Sequence, residues 1–143
     1  MRILPAVLSA ILISGCGADR VQVDAETLDH LSIYDCPVAS GTYERAEIAD
    51  LISNPARLDG KAVKISGYYY SSFEHSAIYP DAQDPQNLFA SDFKKGLWVL
   101  DVDQTLSGKF VTLRGVYDAK GHGHLGQWSG TICVYSAALG NES

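Results

Sequence analysis

The sequence predicts an all-β fold with one short N-terminal helix, a five-stranded OB-like small barrel. Two strand-like segments repeat each other, and each has a glycine at the same place in its middle. Three further short apolar segments bring the number of strands to five, which is the number in an OB barrel. A length of 143 residues is that of a single domain with short flanking segments.

The internal repeat is the strongest indication of this fold. Residues 58–70 (LDGKAVKISGYYY) and 106–118 (LSGKFVTLRGVYD) match at an offset of 48 residues. Each begins with a Gly-Lys turn and continues with alternating faces, as expected for a strand with one buried side. Gly67 and Gly115 occupy the same mid-strand place, which indicates bulges or the tight coiling of a small closed barrel.

The other segments complete the barrel and place a helix in front of it. Apolar residues between Ala46 and Ile52 have helical spacing, and the Asn54-Pro55 pair is expected to end this helix. Residues 80–96 contain two prolines and little periodicity, which indicates a long loop with room for one helical turn. The three remaining strands are expected at 77–79, 97–102 and 128–135.

The first residues are predicted to be a signal peptide. Arg2 precedes an apolar run over residues 3–13, which is too short to span a bilayer as a helix. Residues 13–16 (ISGC) resemble the bacterial lipobox, which implies that Cys16 carries acyl chains such as palmitate and begins the mature protein. The alternative is an ordinary cleaved signal followed by a chance cysteine. In a Gram-negative envelope, Gly17 in place of aspartate favours the outer membrane, facing the periplasm.

The net charge of the mature chain limits the classes of partner that the domain is expected to bind. Removing residues 1–15 takes away only one charged residue, Arg2, so the formal net charge falls from −6 to −7. An acidic domain lacks the basic surface of a nucleic-acid binder and would not adhere to an anionic leaflet, so the lipid must anchor it. The predicted layout is 1–15 signal peptide, 16–43 lipidated N-terminus and tether, 44–137 OB-like barrel domain, and 138–143 C-terminal tail.

Cys36 and Cys133 are the two cysteines that remain after Cys16. An even number in an exported chain favours one disulfide, and no C-x-x-C redox motif is present. Such a bridge would close a loop of about a hundred residues and contribute about 4–5 kcal/mol in the chain-entropy model. A reactive thiol beside a histidine is the alternative.

The stretch GHGH raises the possibility of a metal site. His122 and His124 could reach one ion, but zinc takes three or four ligands. A third ligand could come from His75, His30, Asp118 or Glu74, although nothing in the spacing requires it. The favoured interpretation is a glycine-rich corner between two strands, with no metal and no cofactor.

Aromatic side chains supply the other candidates. OB barrels stack ligands on exposed aromatic residues, and alternation places Tyr68 and Tyr70 on the face opposite to Tyr69. Tyr68, Tyr70 and Trp128 are therefore candidate ligand-binding residues, the alternative being that they fill the core. No nucleophile elbow, phosphate loop or H-E-x-x-H motif occurs, so no catalytic residues are predicted.

Five segments together resemble a family of small, uncharacterised bacterial lipoproteins with an OB-like domain. They lie within residues 46–135 and read LISNPARLDGKAVKISGYYY, FEHSAIYP, LWVLD, LSGKFVTLRGVYD and GHLGQWSGTI. In that family a single histidine precedes the last strand and matches His124, whereas His122 is additional. The expected function is a non-enzymatic envelope lipoprotein that binds or scaffolds an envelope protein, peptide or glycan. The alternatives are a periplasmic metal- or small-ligand-binding protein that uses His122 and His124 and, more remotely, a periplasmic hydrolase.

Overall fold

The computed structural model describes residues 42–142, which belong to one structural unit. The predicted signal peptide, Cys16 and Cys36 lie outside the described residues. Within 42–142, no helix is long and apolar enough to cross a membrane. The helices and strands are β1 Glu44–Arg45, α1 Ile48–Ser53, α2 Pro55–Leu58, β2 Ala62–Ser72, β3 His75–Tyr79, β4 Leu97–Leu100, β5 Lys109–Asp118 and β6 Thr131–Leu139.

Five strands close into a barrel, which confirms the predicted fold class. The hydrogen-bonded order is β2-β3-β4-β6-β5, and β5 pairs back onto β2. Strands β4 and β6 are parallel, whereas the other four barrel pairs are antiparallel. Closure leaves no free edge around this barrel, and strand β1 adds only a two-residue parallel pairing to β2.

The two repeated segments form β2 and β5, which lie side by side in antiparallel pairing. The mid-strand glycine of each repeat faces a valine of the other, Gly67 opposite Val111 and Gly115 opposite Val63. The register shifts between Arg114 and Gly115, so the predicted bulge occurs at the second glycine. Gly67 instead allows a close approach, because a Cβ there would lie 2.5 Å from the Tyr79 carbonyl oxygen.

The predicted N-terminal helix is present, but it is followed at once by a second one. Helix α1 ends at Ser53, and Pro55 is the first residue of α2. Proline suits that position because the first helical residue needs no N–H donor. Ile48 and Leu51 are buried against the barrel core, so α1 covers one end of the barrel.

Two clusters of apolar side chains hold the fold together. The first fills the barrel and includes Ile65, Tyr69, Leu97 and Ile132. The second lies on the outer side of β3 and β4, where residues of the 80–96 loop pack onto the sheet. It consists of Tyr70, Ala77, Tyr79, Leu88 and Trp128, with Tyr68, Phe93 and Trp98 packed against them.

Candidate functional site

A groove lies beside β4, between the β2–β3 hairpin and the loop 119–130 that joins β5 to β6. It consists of two adjoining cavities of about 520 and 410 Å³, and Ser76, Trp98 and Asp101 line both. In OB folds the loops at these two places in the strand order flank the ligand-binding face. Other polar side chains that line the groove are Glu74, His75, Gln104, Asp118, His122 and His124.

Backbone strain is concentrated around this groove. Among the described residues, three that are not glycine have positive φ: Glu74 at 54°, Asp101 at 66° and Leu125 at 55°. Glu74 and Asp101 line the groove, and Leu125 follows the lining residue His124. Residues held in this conformation each cost about 1–3 kcal/mol and gather at binding and active sites. The strain therefore marks the groove as the candidate site.

The two loops on either side of the groove touch each other. The Nε2 atom of His124 lies 3.6 Å from a carboxylate oxygen of Glu74. Beside them, Phe73 and Leu125 expose 81% and 78% of their surface. Each loop thus presents one large apolar side chain to solvent next to the groove, and Phe89 and Leu139 are the other large apolar residues exposed within 42–142.

The GHGH stretch forms the outer wall of the groove. The His122 Nδ1 lies 3.0 Å from the Trp128 carbonyl oxygen, which fixes the imidazole to its own loop. The backbone at Gly123 has φ of 64° and lies directly on the Trp98 indole. Among residues 42–142, no three histidine, cysteine or carboxylate side chains are grouped closely enough to hold a metal ion. His122, His124 and His75 accordingly have separate contacts.

Two of the three aromatic candidates are buried, and the third is half-buried. Tyr70 and Trp128 expose 3% and 1% of their surface. Tyr68 is half-buried, and its ring meets the edge of Phe110 at 5.0 Å. These three residues are not among those that line the groove. Trp98 lines it instead, an aromatic residue that the sequence left open as a core or ligand-stacking side chain.

His75 is a buried histidine in an aromatic surrounding. Its ring lies 5.6 Å from the Phe93 ring and 5.5 Å from the Trp128 ring, edge-on to both. The Nε2 atom is 3.4 Å from the Tyr79 hydroxyl, whereas Nδ1 has no hydrogen-bond partner among the described residues. Burial lowers the pKa of His75, and burial likewise raises the pKa of Tyr79 to about 12. Both rings are therefore uncharged at neutral pH.

Cys133 lies on the outward side of β6. Its neighbours Ile132 and Val134 belong to the barrel cluster and Cys133 does not, as alternation along the strand requires. Cys133 is the only cysteine within the part of the chain that the structure describes, so its pairing with Cys36 stays a prediction.

Most of the side chains that line the groove are polar. Ser76 donates its hydroxyl to the Val99 carbonyl at 2.8 Å, which occupies its proton. The other polar lining groups include carboxylates, imidazoles, hydroxyls, an amide and an indole, which can contact a ligand by charge, hydrogen bonds and stacking. No protein-family model, curated protein or solved structure matches this chain.

Proposed function

We propose that this chain is a lipid-anchored protein of the bacterial cell envelope whose OB-like barrel binds another envelope component, without catalysis, through the groove beside β4. The observation that carries the proposal is the position of this groove between the two loops that flank the binding face of OB folds. Fold analogy alone does not define function, so the strained residues Glu74 and Asp101 at the groove provide the second support.

The anchor is the part of the proposal that rests on sequence. The apolar run before the ISGC stretch supports export and acylation at Cys16, with the outer membrane as the destination. Mass spectrometry of the mature protein should find an acylated Cys16 as its first residue. An unmodified N-terminus elsewhere within residues 14–25 would contradict the anchor and leave the binding role to be judged separately.

The exposed loop tips support a protein or other macromolecular partner. Phe73 and Leu125 flank the groove with apolar surface that a partner would cover, and the groove supplies polar contacts beside them. Interfaces of this kind combine an apolar anchor with a polar surround.

A comparison of groove variants tests the binding role. Full-length lipidated protein is isolated from envelope membranes as wild type, as Trp98→Ala and as the control Leu139→Ala. Leu139 is exposed but lies at the far end of β6 from the groove. We expect components recovered with the wild type and with Leu139→Ala to be lost with Trp98→Ala, provided that all three proteins remain folded. Equal recovery with all three would contradict the proposal.

A further inference from the structure

We infer that the groove receives a lysine or arginine side chain from a peptide segment of the partner. This inference rests on the proposed binding function and specifies the chemistry of its ligand. Three features support it: the charge of the lining, the position of Trp98, and the unsatisfied imidazole of His75.

Apart from the histidines, the ionisable side chains that line the groove and are charged at neutral pH are all carboxylates. Glu74, Asp101 and Asp118 contribute carboxylates, and no lysine or arginine is among the described residues that line either cavity. Within 42–142, neither Asp101 nor Asp118 forms an ion pair with a lysine or arginine side chain, and the Asp118 carboxylate accepts a hydrogen bond from the Lys120 backbone N–H. Charges that remain unpaired in a cleft attract a ligand of opposite charge.

The Trp98 indole gives a cationic side chain a second kind of contact. Trp98 is half-buried, and both Trp98 and Asp101 line the two cavities. Lysine and arginine have an apolar stem and a charged end, so the stem can lie along the indole while the charge meets the carboxylates.

His75 adds a buried polar atom without a partner to the residues that line the groove. The residue is 1% exposed, it lines the smaller cavity, and its Nδ1 lacks a partner among the described residues. A buried polar nitrogen without a hydrogen bond costs about 1–3 kcal/mol, and a bound ligand is one way to satisfy it. An ammonium or guanidinium group donates hydrogen bonds, and a neutral imidazole has one ring nitrogen that accepts them.

Calorimetric titration of the full-length lipidated protein in non-ionic detergent tests the inference. The probes are a capped peptide of alternating alanine and lysine, the same peptide with glutamine in place of lysine, and an oligosaccharide of N-acetylglucosamine. The variants are Asp101→Asn combined with Asp118→Asn, Trp98→Ala, and the matched control Asp50→Asn. Asp50 is an exposed carboxylate on α1 that does not line the groove.

We expect the lysine peptide to bind and the glutamine peptide to bind about ten-fold more weakly or not at all. The double asparagine variant should weaken lysine-peptide binding by about ten-fold, as expected for two partly exposed charge contacts. Asp50→Asn should leave it unchanged, and raising the ionic strength to about 0.5 M should weaken it further. Asparagine tolerates the positive φ of Asp101, so this variant tests charge rather than folding.

Equal affinity for the two peptides, no binding of the lysine peptide, or binding unaffected by the double variant would overturn the inference. Oligosaccharide binding that Trp98→Ala abolishes and the asparagine variants spare would also overturn it, while leaving the groove as the binding site. The recovery experiment with Trp98→Ala and Leu139→Ala tests the binding function without any added peptide. Its outcome therefore separates failure of the proposed function from failure of the inference about a cationic ligand.

Discussion

The imidazole of His124 lies 3.6 Å from the carboxylate of Glu74, and this contact joins the two loops that flank the groove. The two side chains retain 37% and 45% of their exposure, so water and salt screen their interaction. The contact therefore contributes little to the stability of the fold.

A double-mutant cycle with His124→Ala and Glu74→Ala checks this interpretation. We expect a coupling free energy below about 0.5 kcal/mol in the unfolding of the protein, because both groups are partly exposed. Thermal or urea unfolding of the wild type, the two single variants and the double variant gives the value. A coupling of more than about 1.5 kcal/mol would show that the pair is a structural element of the fold.

Gly123 and Gly126 provide a matched pair within one loop. Both have positive φ, 64° and 67°, but a Cβ at Gly123 would lie 2.6 Å from the Trp98 ring, whereas Gly126 has no atom within 4 Å. We expect Gly126→Ala to cost about 1 kcal/mol through backbone strain, and Gly123→Ala to cost about 2–4 kcal/mol because the ring must also move. Equal losses of stability, measured by urea unfolding, would contradict the packing of this loop on Trp98.

Acid should destabilise the protein in part through His75. Burial lowers the pKa of His75 below its ordinary value of 6.5, so the unfolded chain binds a proton more readily than the folded one. The contribution of the neutral ring is fully present above pH 6.5 and is lost as the pH falls from there through the folded-state pKa. Replacement by phenylalanine, His75→Phe, should make stability fall less steeply over this window. Parallel pH profiles of the two proteins would contradict the account.

If Cys36 and Cys133 form the predicted disulfide, the number of free thiols in mature protein from the envelope is fixed. With Cys16 acylated, denatured protein should have no free thiol before reduction and two after it. The outward position of Cys133 on β6 suits a bridge to a segment that lies outside the barrel. Two free thiols before reduction would contradict the bridge.

The barrel could be predicted because its signals are local and mutually consistent. The repeated segments show both the alternation of β2 and β5 and the glycines at which these strands bend or approach a neighbour. The second helix could not be predicted from Pro55, because a proline after a helical segment can mark the end of one helix or the first residue of another.

The groove could not be predicted in the same way, since it depends on contacts between distant segments. Trp98 and Trp128 both look like core or ligand-stacking residues in the sequence. Their different exposure follows from the 80–96 loop and the 119–130 loop, which pack over the outer side of the sheet. Among the described histidines, His124 contacts Glu74 of the opposite loop and His75 contacts the Trp128 ring, and nothing in the spacing of either histidine indicates its partner.

Site-specific photo-crosslinking in intact cells tests directly whether the partner binds at the groove. A photoreactive amino acid replaces Phe73 or Leu125 at the two loop tips, or Leu139 at the far end of β6, since all three side chains are exposed. If the groove is the binding site, we expect the same covalent adduct from both loop tips and none from position 139. The adduct should be lost when Trp98→Ala is added. Adducts that form equally from all three positions, or that persist with Trp98→Ala in a folded protein, would contradict the groove as the binding site.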